Sequence, residues 1–373
     1  MSGWSLVLQS LVLSGAVIAL VLLLLLDRRV GRGRAAAAVA LLVLVAVIGG
    51  LVYARQTQSR VRSGAHLVAK TPELFDATSG FVRSTTCRAC HPGQYATWHA
   101  TFHRTMTQLA TPDAVVGDFD DRRLENRGRT YHLTRRGDEF WVNLVDPDAE
   151  HDLVSRGIYP NTVPDLPRVN RRVVMTTGSH AQQTCWLESR DGRRLLNLPF
   201  VWLIEEARWV PREDVFLRPP HGGRGFDQWN NNCIECHCVS GDENLNEHGI
   251  PESRVAELGI TCEACHGPAA AHVQANRDPL RRYRTHLSAA GDPTIVNPRT
   301  LAQAASAQVC GQCHGMNVRK NDVARTGLSY RAGDALTDTK MILQISDPHR
   351  SPAEEADWAR LQRHIANQPE GFV

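Results

Sequence analysis

The sequence predicts mainly short helices and loops gathered around covalently held groups, with a small antiparallel β insert and two N-terminal transmembrane helices. Three observations predict it. The pattern Cys-x-x-Cys-His occurs four times, at Cys87/Cys90/His91, Cys233/Cys236/His237, Cys262/Cys265/His266 and Cys310/Cys313/His314. Two uncharged apolar runs, residues 5–26 and 35–54, occupy the N-terminal end. Between the first and second motifs, a long stretch alternates in the manner of strands and is punctuated by glycine turns.

Cys-x-x-Cys-His is the attachment pattern of a c-type haem. Two thiolates add to the haem vinyl groups as thioethers, and the adjacent histidine becomes the proximal iron ligand. With 10 Cys and 16 His in 373 residues, composition alone yields about 0.01 chance copies. Zinc is the rival, because paired Cys-x-x-Cys units build four-thiolate sites. Zinc requires no histidine directly after each pair, and all four pairs have one. The fold class is therefore a multihaem cytochrome c carrying four covalently bound haem c groups. Cys87, Cys90, Cys233, Cys236, Cys262, Cys265, Cys310 and Cys313 would form the thioethers, and His91, His237, His266 and His314 would be proximal to iron. Only Cys185 and Cys238 remain, as buried thiols or as a pair.

Composition agrees. A net charge of +3, from 42 Lys+Arg against 39 Asp+Glu, gives no footprint for nucleic acid. Aromatic residues make up only 6%, so porphyrin faces would supply apolar surface that side chains do not.

Taken in order, each N-terminal apolar run is long enough, at about 1.5 Å per residue, to span a hydrocarbon core of about 30 Å. The N-terminus MSGWS lacks the basic region of a signal peptide, and Asp27-Arg28-Arg29 follows the first run in place of a cleavage site. A transmembrane hairpin fits. Arg28, Arg29, Arg32 and Arg34 place its loop in the cytoplasm, against the weaker pull of Arg55, Arg60 and Arg62. Because c-type haem is attached on the outer face of the energy-transducing membrane, both termini and the haem domain belong on the periplasmic side of the inner membrane.

Residues 56–80 read as a polar tether. The first motif then leads through Pro92 into a helical stretch, GQYATWHATFHRTMTQLA, with Tyr95, Trp98, Phe102, Met106 and Leu109 as its apolar stripe. His99 and His103 sit one turn apart on a neighbouring face. His103 is a candidate distal iron ligand, Met106 its rival, and His99 equally a surface histidine.

The span from 129 to 217 reads as a small, largely antiparallel sheet, with hairpins turning at Arg136-Gly137-Asp138 and Asp191-Gly192. Trp186, Trp202 and Trp209 would pack its core or a porphyrin face. His180 and His221, in glycine-bearing loops, are candidate distal ligands, with plain loop histidines as the alternative.

Motifs two and three begin 29 residues apart, which suggests a packed pair joined by helical residues 252–258. His272 follows the third motif too closely to reach its own iron, so it is a candidate ligand for a neighbouring one. The fourth motif is preceded by the helical LAQAASAQ, and residues 352–367 form a further helix. His349 and His364 are weaker candidates. The organisation expected is a transmembrane hairpin over 1–55, a tether over 56–80, a first haem segment over 81–116, a β-rich insert over 117–217, haem segments two to four over 218–330 and a helical tail over 331–373.

Cys87-x-x-Cys90-His91 followed by Tyr95, Trp98 and His103-x-x-Met106 resembles the first haem segment of the tetrahaem cytochromes c that accept electrons in hydroxylamine oxidation. Gly259-Ile-Thr-Cys-Glu-Ala-Cys-His-Gly-Pro268, with His272 beyond, is similar to the third segment of that multihaem c-type cytochrome family, and Val309-Cys-Gly-Gln-Cys-His314 to a later one. The likeness covers residues 85–315. It implies bis-histidine haems packed in sequence, with His103 and His272 capping haems other than their own, in a periplasmic electron carrier. The N-terminal hairpin and the β insert depart from the small carrier, so its partners do not transfer.

The function expected is that of a membrane-anchored tetrahaem cytochrome c relaying electrons on the periplasmic side, an electron-transfer protein rather than a catalyst. Its partners would be redox proteins, a membrane respiratory complex or quinol. The alternatives are a multihaem redox enzyme acting on a small nitrogen or sulfur compound at an open iron, or a cytochrome subunit of a larger respiratory complex.

Overall fold

Strands Arg122–Asn126 (β3), Arg129–Arg136 (β4), Glu139–Val145 (β5), Arg168–Thr177 (β6), Gln182–Glu188 (β7), Leu195–Leu203 (β8) and Arg208–Pro211 (β9) lie side by side in chain order. Thr107–Leu109 (β2) pairs antiparallel with the far end of β6, completing an eight-stranded antiparallel sheet. Numbering counts the two-residue strand Glu73–Leu74 as β1. The computed structural model describes residues 32–75, 79–216, 228–231, 233–288, 291–320 and 329–342, with isolated positions 352, 355, 356 and 359.

Both expected hairpins form. Arg136 pairs with Glu139 across Gly137-Asp138, where Gly137 has φ 62. Strands β7 and β8 are joined through Asp191-Gly192 and pair Glu188 with Leu195. Strand β8, LLNLPFVWL, is buried along all but its last residue, as suits a strand covered on both faces.

The sheet therefore has two apolar faces. Leu133, Val142, Val173, Cys185, Leu187, Leu198 and Phe200 pack on one, with Phe119. Val174, Met175, Trp186 and Leu195 pack on the other, against Trp229, Ile234, Cys238 and Val255 from the second-motif region. Register shifts in the β6–β7 and β7–β8 pairs are local bulges that re-aim side chains between faces.

This architecture corrects the expected fold class. The chain is not mainly short helices and loops with a small insert: its main scaffold is the eight-stranded sheet, and the second motif packs on that sheet's second face. The sheet also begins earlier than the sequence pattern suggests. Strand β3, RRLEN, lacks an apolar alternation because it is a mostly exposed edge. Trp186 and Trp202 are buried in the sheet region, and Trp209 packs against Phe119 and Trp202.

Other local expectations change as well. The helix after the first motif covers only Pro92–His99, and it buries no residue. Its expected stripe does not form; Phe102 is exposed, and residues 107–109 are drawn into strand pairing with β6. Residues 252–258 are not helical. Arg254–Val255 (β11) pairs parallel with β1, and Glu257–Leu258 (β12) pairs antiparallel with Cys238–Val239 (β10). Val255, with 0% exposure, supplies the burial that outweighs helix propensity there.

The chain divides into two compact units at Ala65/His66. In the first lies most of a 39-residue helix, Arg32–Lys70 (α1). Its residues Ala40–Lys70 form a helix long and apolar enough to cross a membrane, by length and composition. The expected first helix, residues 5–26, and arginines Arg28 and Arg29 lie outside the described residues, as do His221, His349 and His364. The expected tether is helical as far as Lys70. In the second unit, the end of α1 docks on the β7–β8 turn: His66 pairs with Glu188 at 2.5 Å, Lys70 donates to the Ser189 carbonyl at 3.0 Å, and Leu67 is buried.

Leu198, wholly buried between β-strand neighbours, tests the sheet as the stability core. Leu198→Ala should cost about 2–5 kcal/mol in chemical denaturation of the full chain. A loss of under about 1 kcal/mol would place the core elsewhere.

Candidate functional site

Each attachment motif sits on a short helical turn. Ser84–Cys87 (α2) opens the first, with His91 directly ahead of the Pro92–His99 helix (α3). A 3₁₀ turn, Cys233–Glu235, carries the second. Pro147–Ser155 (α4) and Arg212–Val215 (α5) belong to the sheet region. Cys262–His266 (α6) is the third motif itself. Ala270–Ala275 (α7) and Pro279–Leu287 (α8) follow it, and Gln303–His314 (α9) ends in the fourth motif. A helical turn makes residues three and four apart neighbours, which groups the two thiols and the imidazole. The amides of His91 and His237 donate to the carbonyls of Cys87 and Cys233, both at 2.9 Å.

The motifs meet in an order that differs from the sequence. Cys87 of the first and Cys262 of the third are hydrogen-bonded. Cys265 of the third lies within electrostatic reach of Cys310 of the fourth, and the Gln312 side chain donates to the Ala264 carbonyl at 3.1 Å. Cys313 of the fourth is hydrogen-bonded to Cys236 of the second. That contact lowers the Cys236 thiol; burial opposes it, and the Lys340 and Arg319 charges reinforce it. The spatial order is thus first, third, fourth, second, rather than the sequential packing that the resemblance implied.

A few polar side chains hold this arrangement. Glu263, between the two cysteines of the third motif, is buried, and its carboxylate accepts from the amides of Val82 at 3.1 Å, Arg83 at 2.8 Å and Ala269 at 2.9 Å. Burial pushes this carboxyl up, and the three amides pull it part of the way back. Glu257 accepts from the Ser84 amide at 2.8 Å and hydroxyl at 2.6 Å. Asn230 clips the second motif to the sheet, accepting from the Leu195 amide at 2.9 Å and donating to the Arg193 carbonyl at 3.0 Å. Gly259 (φ +75) lies against the Arg104 carbonyl, where an added Cβ would fall at 2.3 Å. Beside it, Ile260 donates its amide to the His103 carbonyl at 2.9 Å.

Two imidazole pairs lie across the segments. His91 and His272 have ring centres 6.2 Å apart, and His103 and His314 also have theirs 6.2 Å apart. Two imidazoles bound to opposite sides of one metal stand about 6.3 Å apart, from metal–nitrogen bonds of about 2 Å and roughly 1.1 Å from nitrogen to ring centre. Each pair joins a motif histidine to one from another segment. Burial lowers the His91 imidazole, and the neighbouring His272 and His266 rings add to the effect. His266 has its Nδ1 2.8 Å from the Val296 carbonyl; donation there leaves Nε2 bare for a metal.

A cavity of about 250 Å³ opens between the segments, lined by His103, Met106, His237, Cys310, Cys313 and His314 among others. At its rim, Arg319 and Lys340 flank Glu235, each at 3.4 Å. Around the His103–His314 pair the residues fit a covalently attached macrocycle held by imidazoles: motif thiols and both rings line one cavity; at the His91–His272 pair the fit rests on the ring spacing and the motif thiols. They do not fit zinc. The motif thiols meet in pairs across segments, and among the described residues no group of three or more His, Cys, Asp or Glu converges as a metal-ion site.

The remaining candidates are placed differently. His180 is exposed and stacks on Phe102 at 4.2 Å. His99 is exposed and stacks on Tyr95 at 5.4 Å. Met106 lines the cavity together with His103. Cys185 and Cys238 are separate buried thiols on opposite faces of the sheet. Sequence reasoning missed Glu263, although an acidic residue enclosed between two attachment cysteines was its visible signal.

No family model matches the chain, and no curated protein matches it. Among solved structures, it is similar to the outer cell wall cytochrome OcwA, with 15% identity and a TM-score of 0.41, over 71% of this chain and 45% of that one. The chain spans less than half the length of that cytochrome. At such a distance the likeness assigns nothing to this chain.

One measurement tests the site. Glu263→Ala would leave three amides without their acceptor and should cost at least about 3 kcal/mol in denaturant unfolding; a neutral result would remove Glu263 as the tie between segments. Burial lowers the His237 imidazole to about 4 from 6.5, which keeps the ring in the neutral form that can bind a metal.

Proposed function

We propose that the chain is a membrane-anchored tetrahaem c-type cytochrome that relays electrons on the periplasmic side of the inner membrane. The observation that carries this reading is the pair of facing imidazoles, His91/His272 and His103/His314, each with ring centres 6.2 Å apart and each including an attachment-motif histidine. A bound haem c supplies an iron that alternates between ferric and ferrous and so carries one electron.

The chain's own residues set everything else. The eight motif cysteines would attach the groups. His91 and His272 would hold the iron at the first site, and His314 and His103 would hold it at the fourth. Two protein imidazoles on each of these irons would leave no place for a substrate there, which supports relay over catalysis. The proximity of Cys87 to Cys262, of the third motif to the fourth through Gln312 and Ala264, and of Cys313 to Cys236 supports an electron path ordered first, third, fourth, second. The apolar helix Ala40–Lys70 supports membrane anchoring, and a redox protein, a membrane complex or quinol is the partner class that such a relay serves.

Pyridine haemochrome analysis of the full chain should give four haems per polypeptide. The first and fourth sites should be low-spin by EPR and should not bind carbon monoxide when reduced, while His272→Ala should convert one haem to a high-spin form that does. Fewer than four haems would undo the attachment reading. Carbon monoxide binding at the first or fourth site of the unmodified chain would favour an enzyme.

A further inference from the structure

His272 stands out among the facing imidazoles because of what lies behind it. Its Nδ1 is 3.2 Å from Asp292 Oδ2, 3.1 Å from Asn276 Nδ2 and 3.4 Å from Thr294 Oγ1. Asn276 Nδ2 has two hydrogens, and it also has two good acceptors, Asp292 Oδ2 at 2.7 Å and the His272 carbonyl at 3.0 Å. Those acceptors use both hydrogens. The Nδ1 proton then belongs to His272, with Thr294 Oγ1 at 3.4 Å as its hydrogen-bond acceptor and the Asp292 carboxylate 3.2 Å away as a charge partner, leaving Nε2 as the lone-pair nitrogen of the ring.

Asp292 is itself immobilised. Its Oδ1 accepts from Arg281 Nη2 at 2.9 Å, the Thr294 amide at 2.9 Å and the Thr294 hydroxyl at 2.5 Å, and its side chain is 9% exposed. Burial alone would raise this carboxyl, but the bonds from Thr294 and Asn276 and the Arg281 charge outweigh it and hold it well below the usual range. A fixed anion on the far nitrogen of a ligand imidazole raises ligand basicity and favours the more positive metal state. Among the described residues, no carboxylate stands within 4 Å of a ring nitrogen of the His103–His314 pair, as Asp292 does at His272.

We propose that Asp292 is a positioning residue that fixes the His272 tautomer, aims its Nε2 at the metal held by His91, and makes the first haem site lower in potential than the fourth. The inference rests on the haem reading above and adds an asymmetry to it, between the first site and the fourth.

Redox titration of the haem-loaded full chain, followed optically and by EPR, separates the outcomes. In Asp292→Asn, one midpoint should rise while the other three stay in place. The component that moves should be the one that His272→Ala turns high-spin, and Asp292→Glu should restore part of the shift. Thr294→Val, which removes one bond to the carboxylate, should move the same midpoint the same way by less, and it serves if the Asn variant does not assemble. Unchanged midpoints in these variants, with His272→Ala still giving one high-spin haem, would overturn the role of Asp292 and leave the haem reading intact. If His272→Ala left every haem low-spin, the ligand assignment itself would fail.

Discussion

One buried carboxylate fixes the geometry on which the rest of the site depends. Glu263 sits inside the third motif and gathers the amides of Val82, Arg83 and Ala269, so the strand of chain leading into the first motif cannot shift without stranding polar groups. Glu257 adds a second tie through Ser84. These two side chains make the third motif the hub: it touches the first on one side and the fourth on the other. A buried carboxylate is costly unless its lone pairs are filled, and here they are filled by the very backbone that must be held.

The sheet provides the second constraint. Its two apolar faces do different work, one closing the sheet's own core and the other receiving Trp229, Ile234 and Cys238. Asn230 completes the junction with hydrogen bonds to β8 and a bond to Ser253 at 2.9 Å. Support of this kind holds the attached side chains in place, because a packed sheet yields little to displacement.

Much of this was legible in the sequence, and the failures have identifiable causes. The four motifs, the two hairpins and the helix leading into Cys310 are all local signals, and all are present as read. The size of the sheet was not legible, because β3 is a charged edge and β2 is three residues of Thr-Gln-Leu that only pair with β6 through tertiary contact. The helix after His91 was overextended because Phe102, Met106 and Leu109 keep a helical spacing that the fold does not use. His103 and His272, read from the sequence as candidate distal ligands of neighbouring haems, lie with ring centres 6.2 Å from those of His314 and His91. The order in which the motifs meet was invisible, since nothing in a spacing of cysteines says which pair turns towards which.

That order bears on how the protein is made. The bond between Val82 and Glu263 spans 181 residues, and closure across such a distance comes late in folding. The first motif is synthesised earliest, yet its neighbour in space is the third, and the imidazole nearest its own, His272, comes later still. The first segment can therefore reach its packed place only once the chain as far as residue 272 is present, so its surroundings are completed by segments made long after it.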